Sequence, residues 1–197
     1  MKSNIKPTGI ILAAGGATRM GQPKSLLPLD NTTVISCHIN ALSTVCAEVI
    51  VVLGAHASVV RRSLKAHESA IRILENSKWA VTTQADSLCI ALAATDKKRA
   101  VLVTPVDTPP ASAETLQSLC AAFPTTTVPL SPEGERGHPV MLSPATVSQI
   151  LTSPMPHGLR PFLADAHTVS VTDTLLHLDF DTPNEWREFL SRWTNRP

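Results

Sequence analysis

Leu12-Ala13-Ala14-Gly15-Gly16-Ala17-Thr18-Arg19-Met20-Gly21-Gln22-Pro23-Lys24 is the stretch that decides the fold. It grows out of Gly9-Ile10-Ile11-Leu12-Ala13, an apolar run without polar alternation, as expected of a strand buried on both faces of a parallel sheet. A loop of small residues leaves the end of that strand. From Leu12 through Ala13, Ala14, Gly15 and Gly16 little side chain separates the backbone amides from a bound anion, while Arg19 and Lys24 add fixed positive charge. The combination predicts a phosphate-binding turn, against the plainer alternative of an ordinary strand-to-helix turn carrying two surface cations. Two other phosphate motifs are excluded by spacing. Gly16 and Gly21 have the Walker separation, but Gln22 stands where its lysine belongs, and no Gly-x-Gly-x-x-Gly occurs.

Strand and helix patterns alternate from there. Thr32 or Thr33 can cap a helix whose apolar face is Val34, Ile35, Ile39, Leu42 and Val45, leading into a strand over 48–53. A helix over 58–68, a short strand over 71–74, a helix over about 87–94 and a strand over 100–105 follow. This order predicts an α/β fold, Rossmann-like and doubly wound, with a mostly parallel sheet and helices on both faces. An amphipathic helix over 111–123 carries Leu116, Leu119 and Cys120, and beyond it the pattern becomes irregular and rich in proline. Strands are expected there at 127–128, 139–142, 169–171 and 175–178, helices at 146–151 and 184–192, and a loop at 130–137.

With 197 residues, of which 43% are hydrophobic, the chain has material for one sizeable core, so a single domain over 1–197 is expected. A net charge of +1 argues against a nucleic-acid surface and for a small ligand. No apolar run reaches the roughly 18–20 residues that span a bilayer. Met1-Lys-Ser-Asn-Ile-Lys-Pro also lacks a signal-peptide core, so the expected location is cytoplasmic and no membrane partner is expected. Cys37, Cys46, Cys89 and Cys120 form no Cys-x-x-Cys pair and read as buried reduced thiols, and the 7 histidines form no ligand-spaced cluster.

A second site is suggested by Val103-Thr104-Pro105-Val106-Asp107-Thr108-Pro109-Pro110. Asp107 lies just past the end of a central strand, and ligands of open parallel sheets bind outside those ends. A carboxylate beside a phosphate there suits Mg²⁺, which takes one or two carboxylates together with phosphate oxygens and water. The alternative is an Asp that serves a turn or caps the next helix.

The first stretch, continued through Ser25-Leu26-Leu27-Pro28-Leu29, resembles the signature of the MobA-like nucleotidyltransferases, especially the molybdenum cofactor cytidylyltransferases. The resemblance implies a loop wrapped around a nucleoside triphosphate, with Arg19 and Lys24 on its phosphates. Pro105-Val106-Asp107-Thr108-Pro109 is similar to the family's metal-binding turn. Asp179-Phe180-Asp181-Thr182-Pro183 is similar to its second acidic motif, which implies Asp107 and Asp181 as ligands of Mg²⁺, with Asp179 the lesser candidate. By the residues alone, Asp181-Thr182-Pro183-Asn184 reads as a capped helix start. Arg19, Lys24 and Asp107 are the implied catalytic residues. Base contacts are expected from the Gly15-Gly16 side of the loop and from the stretch between Asn76 and Leu88, with Asn76 and Ser87 as nucleotide-binding residues; Ser87 reads equally as a helix cap. Thr83 and Asp86 replace a glycine and a serine of the family pattern. Within that family, the resemblance of the Ala13-Ala14-Gly15 form of the first loop implies CTP over GTP.

Arg136-Gly137-His138-Pro139-Val140 is similar to a segment that borders the acceptor site, which implies His138 and Pro139 there, against a purely structural histidine. Gly158-Leu159-Arg160-Pro161 departs from the family's usual pattern. The nucleotide-binding half is then about 1–110 and the acceptor-binding half about 111–197. The implied reaction is nucleotidyl transfer from an NTP, favouring CTP, to a phosphorylated acceptor such as molybdopterin with molybdenum bound. Its product would serve a molybdenum hydroxylase as partner. A sugar-phosphate acceptor and a non-catalytic nucleotide-binding chaperone are the alternatives.

Overall fold

Unbroken aliphatic runs become the central strands because both of their faces are covered. The structure, a computed structural model, describes residues 6–122 and 125–196; residues 1–5, which carry most of the N-terminal reading, and the Phe123 end of the expected 111–123 helix lie outside them. β1 (Thr8–Ala13) pairs in parallel with β4 (Glu48–Leu53) on one side and β6 (Val101–Pro105) on the other. β5 (Ile71–Glu75) extends the parallel part beyond β4. On the far side come β8 (Val140–Leu142), antiparallel to β6, then β7 (Thr127–Leu130) and β9 (His167–Ser170), giving the order β5-β4-β1-β6-β8-β7-β9 in a 7-stranded sheet. A separate hairpin, β2 (Pro28–Leu29) with β3 (Thr32–Thr33), leads into the first helix.

Successive strand residues point to opposite faces, so two cores form. Ile11, Val49, Val51, Leu53 and Leu102 join one that includes α1 (Val34–Ser43), α2 (Ala57–Ser63), α4 (Ala113–Ala121) and α6 (Pro183–Thr194). Ile10, Leu12, Ile50, Val52, Val101 and Val103 join the other, under α3 (Gln84–Ala93) and α5 (Pro144–Thr152). The chain therefore has the expected α/β architecture, with helices on both faces of a mostly parallel sheet. Order reverses between β1 and β6, and the crevice outside a switch point of this kind is where such sheets bind ligands.

Local departures from the sequence reading have local causes. Thr33, not Thr32, caps α1, accepting from the Ser36 amide at 3.4 Å. α3 begins at Gln84, before Ser87, because Thr83 and Asp86 close a capping box. The expected 58–68 helix stops at Ser63 and continues as a 3₁₀ turn, Lys65–His67. Residues 175–178 form a turn instead of a strand: the Leu178 amide donates to the Leu175 carbonyl at 2.9 Å, and the Leu176 carbonyl accepts from the His138 amide at 3.0 Å. Leu175 and Leu176 are buried, so their hydrophobicity anchors a turn and mimics a strand in the sequence.

His38, on α1, is 2% exposed. Its Nε2 donates to the Thr108 carbonyl at 3.0 Å, tying the helix to the chain just after β6. Burial pulls its imidazole from 6.5 down to about 4, against the smaller opposing pull of that hydrogen bond and of Asp107. The unfolded chain takes up this proton below about 6.5 and the folded chain only near 4, so His38 removes stability as pH falls through that window. The loss should approach about 3 kcal/mol at the acid end. Denaturant midpoints of wild type and His38→Leu, taken at pH 7 and pH 4.5, should fall less in the variant; parallel curves would contradict the assignment.

Candidate active site

At the end of β1 the backbone turns into the small-residue loop. It leaves between the ends of β4 and β6: the Ala55 amide donates to the Ala14 carbonyl at 3.2 Å, and the Val106 amide to the Leu12 carbonyl at 3.0 Å. Gly54 makes the first contact possible, because a Cβ there would stand 2.4 Å from the Ala14 oxygen. Ala17 takes a left-handed φ of 48°, unusual for a residue with a side chain. Its carbonyl accepts from both the Met20 and Gly21 amides at 3.1 Å, closing the turn that presents Arg19. His56 adds a brace through Nε2, 3.1 Å from the Gly16 carbonyl.

Asp107 follows β6, and Asp181 is brought to it by the backbone. The Phe180 amide donates to the Asp107 carbonyl at 3.0 Å. Phe180 is fully buried, with ring centroids 4.8 Å from Trp186 and 5.2 Å from Phe189, so apolar packing of α6 fixes the position of the next residue. Neither carboxylate is used as a helix cap. Ser112 caps α4, and Thr182 with Glu185 caps α6 in a box that also satisfies the Asp181 amide. Asp179 is exposed and outside this arrangement.

Lys24 closes the group. Its Nζ donates to Asp107 Oδ2 at 2.8 Å and also to Asp181 Oδ1, while Arg19 donates to Asp181 Oδ2 at 2.5 Å. Burial works against the ammonium, but the charge and hydrogen bonds of Asp107, then of Asp181, outweigh it and hold the Lys24 pKa above the ordinary lysine value. The hydrogen bond from Lys24 is the main cause that holds the Asp181 carboxyl below its usual range; Arg19 adds to it. Two cations and two carboxylates from three distant segments thus share one crevice.

That crevice is a cavity of about 300 Å³. Leu12, Ala13, Ala14, Gly15, Arg19, Lys24, Ser87, Asp107 and Asp181 line it, as do His56, Trp79 and Gln84. Gly16 and Asn76 do not. Gly16 is covered by Trp79, whose Cζ3 would stand 3.2 Å from a Cβ at that position. Asn76 is 3% exposed, and its amide nitrogen donates to Thr82 Oγ1 at 2.8 Å and Ser87 Oγ at 3.0 Å. Its oxygen accepts from the Lys78 amide at 3.0 Å. Asn76 thus braces the 76–87 segment from inside the fold and lies outside the lining of the cavity. Nothing in the sequence pointed to His56, whose partner is a backbone atom of a remote loop.

A second cavity of about 370 Å³ adjoins the first and shares Leu12, Thr83 and Gln84 with it. His138, Met155, Leu159 and Arg160 line it; Pro139 is buried and does not. Burial lowers the His138 pKa, against the Val103 hydrogen bond and the charge of Asp107, so the ring is neutral near pH 7. Its Nδ1 is buried with no partner among the described residues. A hydrogen bond, rather than a countercharge, is what this ring can offer. Arg136 holds the floor of this cavity in place, donating to the Leu163 carbonyl at 3.1 Å and the Ala166 carbonyl at 3.2 Å.

Comparison with known proteins bears on the family and the fold. The family model described as the MobA-like NTP transferase domain matches residues 9–171. The molybdenum cofactor cytidylyltransferase of Escherichia coli (strain K12) is 26% identical over 187 residues, spanning 94% of this chain and 96% of its own. The nicotine blue oxidoreductase of Paenarthrobacter nicotinovorans is 36% identical over 117 residues, 57% of this chain and 54% of its own. Among solved structures, Rv0371c from Mycobacterium tuberculosis H37Rv aligns with a TM-score of 0.80 at 26% identity, covering 94% of this chain and 98% of that one. A manganese complex of the same protein aligns at 0.73 and 25% identity, with the same coverage. No helix among the described residues is long and apolar enough to cross a membrane.

Removing Lys24 leaves two carboxylates facing each other without their shared countercharge. Loss of one partner from a fully buried ion pair costs about 3–5 kcal/mol. The carboxylates here are each 29% exposed, which reduces the expected cost of Lys24→Met to roughly 1–2 kcal/mol. Adding Asp181→Asn removes the repulsion and should restore part of that stability. Chemical denaturation of the two single variants and the double variant measures the coupling; strictly additive losses would show that the three side chains do not act together.

Proposed function

The chain belongs to the MobA-like NTP transferase family, and from that premise we propose that it transfers a cytidylyl group from CTP to the phosphate of molybdopterin carrying molybdenum, releasing pyrophosphate. The observation that carries this reading is the convergence of Arg19, Lys24, Asp107 and Asp181 beside the amide-rich loop. Similarity to the E. coli cytidylyltransferase over nearly the whole of both chains supports the choice of nucleotide and acceptor. The division of labour belongs to the same proposal: a single domain whose first half, about 1–110, holds the nucleotide and whose second half, about 111–197, holds the acceptor.

Asp107 and Asp181 fit a divalent cation. Their oxygens already converge on one positive centre, the Lys24 ammonium, and the donors are hard carboxylate oxygens of the kind Mg²⁺ selects. When bound, Mg²⁺ would neutralise charge on the α-phosphate and the departing pyrophosphate. Amides from Ala13 to Gly15, with Arg19 and Lys24, would hold the triphosphate and offset its charge. An oxygen of the acceptor phosphate attacks the α-phosphorus, and the bond from that phosphorus to the pyrophosphate oxygen breaks. An acceptor phosphate is already ionised at neutral pH, so no side chain has to remove a proton, and positioning supplies the rate. His138, a neutral ring on the wall of the second cavity, would border the acceptor there, with Pro139 beside it just before β8. The product would be delivered to a molybdenum hydroxylase.

Pyrophosphate release tests the proposal. It should appear with CTP and molybdenum-loaded molybdopterin, depend on Mg²⁺, and be weak with GTP or with sugar phosphates. Asp107→Asn and Asp181→Asn should each abolish most activity with little change in thermal melting, and the double variant should be hardly worse than either, as for residues acting as a unit. Release with sugar phosphates alone would select the alternative acceptor; nucleotide binding without release for any acceptor would favour a chaperone.

A further inference from the structure

Trp79 is an unusual side chain for the wall of an anion site. It is 40% exposed, among the largest exposed hydrophobics, yet it lines the same cavity as Arg19, Lys24 and the two carboxylates. The other tryptophans are engaged in α6: Trp186 packs on Phe180 and Phe189, and Trp193 donates from Nε1 to Asp30 at 3.0 Å. Trp79 is instead carried on a 3₁₀ turn, Trp79–Val81, that polar contacts hold rigid. The Trp79 amide donates to the Asn76 carbonyl at 3.2 Å, Thr82 Oγ1 donates to the Lys78 carbonyl at 2.9 Å, and the buried Asn76 side chain ties the turn to α3 through Ser87.

The indole rests on the phosphate loop. Its Cζ3 and Cη2 would lie 3.2 and 3.9 Å from a Cβ on Gly16, so the absence of a side chain at Gly16 is what lets the ring approach. Beyond the ring, the cavity wall continues through Thr82, Thr83, Gln84 and Ser87. Thr83 and Asp86 satisfy each other in the α3 capping box, whereas the Gln84 amide, a donor and an acceptor on one group, has no side-chain hydrogen bond among the described residues. An aromatic surface followed by a hydrogen-bonding edge is the chemistry that recognises a heterocyclic base: the ring stacks and the edge selects.

We propose that Trp79 is the stacking platform for the nucleobase, next to the loop that takes the triphosphate, with Gln84 reading the edge of the base. This rests on the nucleotide reading of the cavity. Stacking on an aromatic side chain typically contributes enough that its loss weakens binding roughly tenfold. The loop amides, Arg19 and Lys24 hold the phosphates independently of the ring.

Calorimetry on the full chain with Mg²⁺ should compare CTP with inorganic tripolyphosphate for wild type, Trp79→Ala and Trp79→Phe. Trp79→Ala should weaken CTP about tenfold and leave tripolyphosphate unchanged, and Trp79→Phe should recover most of the loss. CTP should quench the wild-type tryptophan fluorescence while tripolyphosphate does not, and the quench should vanish in Trp79→Phe, which makes the result independent of how Trp79→Ala folds. Unchanged CTP affinity in both variants, or equal losses for CTP and tripolyphosphate, would overturn the proposal; equal losses would mean that the ring only supports Gly16. Wild type binding neither ligand would overturn the nucleotide reading beneath it.

Discussion

One ammonium group between two carboxylates organises this molecule's candidate site. Lys24 comes from the loop after β1, Asp107 from the end of β6 and Asp181 from the start of α6, and Nζ of Lys24 touches both acids. At an effective dielectric near 20, a unit charge pair 4 Å apart is worth about 4 kcal/mol in gross terms. Two such attractions outweigh the single repulsion between the carboxylates, and Arg19 relieves the charge on Asp181 further. Without the lysine, Asp107 loses its cation and the repulsion between the two acids is opposed by the Arg19–Asp181 pair alone.

The apolar part of the fold makes that meeting inexpensive. Alternating strand residues fill two cores, so the ends of β1, β4 and β6 are fixed in register before any charge is considered. Phe180 then anchors the C-terminal segment, and its amide on the Asp107 carbonyl sets Asp181 beside its partner. Helix capping by Ser112 and by Thr182 with Glu185 leaves both aspartates free for other work. Hydrophobic burial thus supplies position, and capping supplies availability.

Much of this is legible in the sequence, for identifiable reasons. The runs 9–13, 49–53 and 100–103 in and beside β1, β4 and β6 carry no polar interruption, and a small-residue loop with two cations at the end of a buried strand points to an anion. The acidic segments around Asp107 and Asp181 are visible as motifs, but their contact depends on the burial of Phe180, a tertiary fact. The brace that Asn76 forms is not legible either, because a buried amide that holds a turn has the same letter as one that meets a ligand. Leu175 and Leu176 mislead, since burial without sheet pairing gives strand-like hydrophobicity. His56 and Gly54 carry no local pattern at all; each matters through a backbone atom of the loop between Ala14 and Gly16. Trp79 gains its meaning only from Gly16, which lies far from it in the chain.

The most direct test of the account is a crystal structure with CTP and Mn²⁺, using anomalous scattering to locate the metal. One manganese peak is expected, bonded to carboxylate oxygens of both Asp107 and Asp181, with Lys24 moved from between them onto the phosphates. A peak bonded to Asp107 alone, or a Lys24 that still bridges the two aspartates beside a bound triphosphate, would contradict it.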